Sequence, residues 1–335
     1  MPANDVVLSA TFTAIEYTVS FNKNGGTGND MAAQSFTYDK AQNLTANAYE
    51  RTGYSFAGWA TTAEGDVLYS DKQSVSNLAT TQDANVELFA KWTKNEFALL
   101  NDDSEAAEKN AIIISSYAND GKVYEVTLSG RTLTADNWNT LCLPFNLSAA
   151  QIESIFGSGT KVKTLSSYSN DGSTVTITYE DATTIEAGKP YIIKPTNTVV
   201  NPVFTGVTIN NTMNDVTVGG ATFKGTYSPV ALTANDKRKL FLANNMLWFP
   251  TANLTVKSCR AYFELTDEVP ETTQGAPSIV IDYGDESTGI LSIDHSPFTI
   301  DHSSGAWYTL DGRKLDGKPA KKGMYIVNGR KAIVK

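Results

Sequence analysis

The chain has 335 residues, with 27 Lys and Arg against 36 Asp and Glu and a formal charge of −9, and its isoelectric point lies near 4.9. That balance argues against a nucleic-acid binder or a polybasic membrane-docking protein, and no stretch approaches the roughly 18 continuous apolar residues of a spanning helix. Charged residues make up 19% and aromatics 10%, a composition that packs cores, and two His with two Cys leave little for a His- or Cys-based metal site.

In chain order the first feature is a self-similarity. Residues 3–17 (ANDVVLSATFTAIEY) and 84–97 (ANVELFAKWTKNEF) match on a shift of 80, which sets Val6 on Val86, Leu8 on Leu88, Ala10 on Ala90 and Phe12 on Trp92. Both segments alternate with period two, so both read as strands that close a module. Residues 1–16 are therefore expected to be the last strand of a preceding repeat, in a fragment that lacks its signal peptide.

One full module spans 17–94. Tyr17, Val19 and Phe21 share a strand face, Asn24-Gly25-Gly26 supplies a tight turn, and Gln34 to Tyr38 is a second alternating strand. The strings YTVSFNKNGGTG, AQNLTANAYERTGYSFAGWAT and NVELFAKWT resemble the internalin-type B-repeat, also called the Listeria–Bacteroides repeat. That resemblance implies a small β-grasp-like module of extracellular bacterial proteins. Tyr54, Phe56, Trp59 and Trp92 are expected in its core rather than on a sugar-stacking platform, because so small a module has little else to bury.

The region 98–268 reads as a β-sandwich-like middle domain with two short helices. Ser104 with Glu105 and Glu108 starts the first helix; Ser148 and Gln151 form a capping box for the second, over 149–156, with Gly157 as its stop. Tyr-x-Asn-Asp-Gly occurs at 117–121 and 168–172 and is read as hairpin turns, since the spacing of a calcium loop is missing. Strands are expected near 138–145, 162–165, 190–194, 221–227, 239–243 and 259–265. The strings WNTLCLPFNLSAAQI, IEAGKPYIIKP, FKGTYSPV and CRAYFEL resemble a recurrent domain of Bacteroidales surface proteins with no assigned activity.

Residues 269–304 read as linker and polar segment. The final stretch, 305–335, carries Asp311-Gly312 and Asn328-Gly329 between alternating runs. Its pattern WYTLDGR…GMYIVNGRK…VK resembles the C-terminal sorting domain of type IX secretion cargo, and implies a small β module for export or attachment. The whole is thus mainly β, in tandem small modules.

Catalytic signals are sparse. His295 and His302, beside Asp294 and Asp301, lie in a Ser-rich tract without framing strands and are read as solvated. Glu180, Asp181, Glu186, Glu264 and Asp267 are the carboxylates from which a glycosidase pair would be drawn, and no spacing singles out two of them. Cys142 and Cys259 sit in apolar runs; buried free thiols are the favoured reading, and a disulfide is the alternative. Neither a cofactor nor a metal is expected.

The resulting expectation is a non-enzymatic secreted or outer-surface protein of a Gram-negative bacterium, with adhesive or structural modules and a polysaccharide or host-matrix protein as partner. The alternative, a carbohydrate-binding module, requires Trp138, Tyr168, Tyr191, Trp248 and Phe249 to be exposed. No nucleic acid and no membrane span are expected, and secretion machinery would engage the C-terminus.

Overall fold

The computed structural model describes residues 9, 11–101, 106–270 and 279–284, together with the backbone of 307–308, 314–315, 323–327 and 330–334. The repeat is built on a four-stranded sheet. Its central strands, Glu16–Asn22 and Asn85–Lys94, run parallel; Gln34–Thr37 pairs antiparallel with the first and Tyr54–Ala60 with the second. First and last strands of the module thus lie side by side with a hairpin arm on each flank, the β-grasp-like arrangement.

Alternation explains the core. Tyr17, Val19 and Phe21 point to one face of their strand and are buried, as are Leu88 and Ala90 on the adjacent one. Trp59 is 0% exposed and lies within 4.9 Å, centroid to centroid, of both Phe21 and Phe56. Phe56 and Trp92 pack on the same cluster, while Tyr54 is half-buried beneath the Arg51 guanidinium. Trp59 reaches the core because Gly58, at φ 142° on a bulge, approaches the Tyr69 backbone too closely for any Cβ.

Residues 11–15 depart from expectation. They form no strand, and Phe12 is 92% exposed. A strand needs a neighbour, and apart from the Tyr38 N–H bond to the Ile15 carbonyl none is formed here. Residues 1–8 and 10 lie outside the described residues.

The middle domain has two large cores and a smaller cluster of Leu232, Val256 and Tyr262. Two five-stranded sheets face each other across one of the large cores. The first sheet has the order 139–141, 191–194, 161–170, 175–181, 279–282; the second has 216–218, 221–226, 260–265, 239–243, 246–248. Leu165, Val175, Ile177 and Tyr179 meet Phe223, Leu240 and Phe263 between the layers. The other core is gathered under a three-stranded sheet (96–100, 124–129, 203–207) and both helices.

Helix α2, Ala149–Phe156, carries the expected box: the Gln151 N–H donates to Ser148 Oγ at 3.3 Å, the Ser148 N–H to Gln151 Oε1 at 3.0 Å, and Gly157 ends the helix at φ 98°. Helix α1 is longer than expected, Ala106–Tyr117, because the first Asn-Asp-Gly stops a helix instead of turning a hairpin: Asn119 takes φ 58°. The second does turn a hairpin, with Asn170 opposite Val175.

A further correction concerns the linker. Ile279–Asp282 is a strand, paired parallel with Val175–Asp181, and Val269 and Tyr283 are buried in the sandwich. The domain therefore continues to 284. The Pro- and Thr-rich stretch before this strand masks it, because its partner lies about a hundred residues earlier in sequence. Near the terminus, 307–308, 314–315, 323–327 and 330–334 form a four-stranded antiparallel sheet, with Tyr308 opposite Lys314 and Val327 opposite Arg330, as the two expected turns require.

Replacing Trp59 with Ala should remove the centre of the repeat core. We expect a loss of about 3–5 kcal/mol in the repeat's unfolding free energy, read from denaturant titration of the full chain.

Candidate functional site

The hairpin joining 239–243 to 246–248 turns on Asn244 and Asn245, both in left-handed conformation at φ 52° and 61°. Asn245 ties this tip to the first sheet. Its Oδ1 accepts from the Trp138 N–H at 2.6 Å, its Nδ2 donates to Asn137 Oδ1 at 3.2 Å, and its carbonyl accepts from the Tyr283 hydroxyl at 2.9 Å. The Trp138 and Tyr283 rings stack at 4.8 Å below it.

The tip walls a cleft of about 470 Å³ whose lining includes Asn137, Asn139, Thr140, Asn244, Lys257 and Arg260. No carboxylate lines it among the described residues. Its polar groups are amide, hydroxyl and cationic donors, set among apolar residues such as Phe241, Leu254 and Val256, and suit a polar or anionic ligand rather than acid–base work. Asn137 and Asn139 are largely spent on the turn itself, donating to the carbonyls of Ala135, Thr134 and Asn137.

The aromatic residues named as a binding row fall elsewhere. Trp138, Tyr191 and Phe249 are buried, while Tyr168 and Trp248 are half-buried. Tyr191 and Trp138 belong to different cores, and Trp248 donates to its own hairpin carbonyl at Ala243. The exposure that a stacking platform requires fails for three of the five, because these rings are large apolar groups that fill the domain's two larger cores.

The candidate carboxylates are dispersed. Glu180, Asp181, Glu186 and Asp267 are exposed; Asp181 meets the buried Lys163 at 2.5 Å and Glu186 meets Lys189 at 3.4 Å. Glu264 is clamped by Lys239 and by Lys224, the latter at 3.2 Å. Burial alone would raise its carboxyl, but the hydrogen bonds from the two lysines outweigh that and hold it below its ordinary value. A general acid needs the opposite shift. The tract with His295, His302, Asp294 and Asp301 lies outside the described residues.

Cys142 and Cys259 are both buried and free, and the Cys142 N–H donates to the Cys259 carbonyl at 3.3 Å. Burial pushes the Cys259 thiol up to about 12 and the Cys142 thiol well above its usual range. Sequence reasoning missed Arg131, which is 1% exposed beside this pair; a lone Arg in a polar string carries no signal of burial.

Residues 17–91 match the Listeria-Bacteroides repeat domain family. No curated protein and no solved structure matches the chain. The repeat is of a kind typical of extracellular and surface proteins, and no helix among the described residues is long and apolar enough to cross a membrane.

Two outcomes follow. Glu264→Gln should cost under about 1 kcal/mol at pH 7. Because the folded carboxyl is shifted down, its contribution is present above the ordinary value of 4.5 and fades as pH falls below it. The wild-type and variant melting temperatures should therefore converge in acid. A thiol reagent should find no reactive cysteine in the native chain and two after denaturation without reductant; none after denaturation would mean a disulfide.

Proposed function

We propose that the chain is a non-enzymatic extracellular or surface protein, in which the repeat serves as spacer and the middle β domain as scaffold or recognition head. The match of residues 17–91 to the repeat family carries this reading. The sandwich supports it: the carboxylates from which a hydrolytic pair would be drawn are scattered, and no carboxylate among the described residues lines the cleft at the hairpin tip. The C-terminal pattern adds a Bacteroidales-type sorting or attachment role in this reading.

Labelling of intact cells of the source organism with an antibody against the chain tests the address. Signal without permeabilisation is expected, and signal only after lysis would overturn it. Incubation with a panel of glycosides should give no hydrolysis.

A second reading, recognition of a polysaccharide by the middle domain, rests on the cleft rather than on exposed rings. Asn244 is exposed at the hairpin tip and lines the cleft. Asn244→Gly removes its amide while keeping the left-handed backbone. On a polysaccharide array the full chain should bind through this cleft and the variant about 3–10-fold more weakly, the worth of one hydrogen bond. Equal binding would move recognition elsewhere.

A further inference from the structure

Arg131 is fully buried, and its guanidinium makes one hydrogen bond: Nη2 donates to the Thr140 carbonyl at 2.6 Å, while Nε and Nη1 have no acceptor. A guanidinium stays charged under ordinary conditions, so this is a cation held out of water with most of its donors idle. The buried Ser258 hydroxyl is idle as well.

These groups belong to one neighbourhood, stapled by Asn101. The Asn101 carbonyl accepts from the Ser258 N–H at 2.9 Å, its Nδ2 donates to the Gly130 carbonyl at 2.9 Å, and its Oδ1 accepts from Arg260 Nη2 at 3.3 Å. The turn carrying Arg131 and the segment carrying Ser258 and Arg260 therefore meet around a single side chain. Thr140, Lys257 and Arg260 also line the cleft described above, so this neighbourhood adjoins a route to solvent.

The Arg260 charge acts on Arg131 as well. Burial lowers Arg131 to about 9, and the Arg260 charge adds to the shift while Cys259 opposes it. A water would satisfy idle donors but would leave the charge uncompensated. An anion does both, and orphaned buried donors next to clustered cations are what an ion site looks like when read from the protein side alone.

We propose that Arg131 and Ser258, with Arg260 alongside, form a buried site for one small inorganic anion. The ion completes the packing between the 129–131 turn and the 258–260 segment.

The test is calorimetric and thermal titration of the full chain with sodium sulfate, sodium phosphate and sodium chloride, beginning from a low-salt buffer of a large organic anion. At least one of the three should bind saturably, one per chain, and raise the melting temperature. Arg131→Met should weaken that binding about 10–100-fold, the worth of a hydrogen bond to a charged group. It should melt no lower than wild type in the low-salt buffer, since an unpaired buried charge has been replaced by an apolar chain. Ser258→Ala, a smaller change, should bind about 3–10-fold more weakly and guards against misfolding of the first variant.

A general salt effect would appear as an unsaturated rise, equal in wild type and both variants, and would overturn the site. Asp102 and Asp103, which lie outside the described residues, supply the competing account. If wild type ignores all three salts while Asp102→Asn with Asp103→Asn lowers the melting temperature, those carboxylates are the counter-charge and the proposal falls.

Discussion

A single residue joins the repeat to the middle domain, and much of the architecture depends on how that residue is held. Asn95 separates strand 85–94, in the repeat's sheet, from strand 96–100, in a sheet of the next domain. All of its polar groups are engaged. Its N–H donates to the Gly53 carbonyl at 2.8 Å, its carbonyl accepts from the Glu125 N–H at 2.9 Å, Ser55 donates to Oδ1 at 2.7 Å, and Nδ2 donates to the Val123 carbonyl at 3.2 Å. Two of these bonds go back to the repeat and two go forward. Backbone groups that cannot be left unpaired thus hold the joint, with no flexible linker between the modules. Lys94, bridging to Glu96 at 3.2 Å and Glu125 at 2.6 Å, adds an exposed and weaker tie at the same point.

Beyond the joint, the distribution of large side chains shapes what the molecule can do. A mainly β chain divided into several small cores must commit most of its aromatics to the interior. Tyr179 illustrates this: it contacts Phe223 and Phe263 across the sandwich and stacks on Tyr283 at 6.0 Å. The described surface is left with amides, hydroxyls and charges, with scattered apolar side chains such as Leu68, Ile112 and Val200 among them. In the proposed reading recognition rests on loop geometry, and the left-handed Asn244-Asn245 tip is one place where the second domain presents such geometry.

The parts legible in the sequence were those governed by local chemistry. Period-two alternation located strand 16–22 and the buried Tyr17, Val19 and Phe21; the Ser148–Gln151 box located α2; Asn170-Asp171-Gly172 located its hairpin. What escaped is governed by distant partners. An Asn-Asp-Gly turn is chemically the same whether it follows a helix or joins two strands, so the local sequence does not reveal the full length of α1. The parallel pairing of 279–282 with 175–181 leaves no local mark, and its lead-in looks like linker. Whether Trp138 faces solvent or core depends on Tyr283, which lies 145 residues away. Arg131 was invisible for the same reason.

The parallel pairing of 16–22 with 85–94 has a mechanical meaning. These are the strands through which the chain enters and leaves the repeat, and their register runs from Thr18 opposite Asn85 to Asn22 opposite Phe89. Tension applied at the two ends of the module drags them in opposite directions along their own axes. The ladder bonds between them are then loaded together in shear, whereas a hairpin pulled open at its free ends unzips one rung at a time. Asn95 passes that load directly into strand 96–100, itself paired in parallel with 124–129. A chain strung between two anchored points would meet the force with its strongest geometry first.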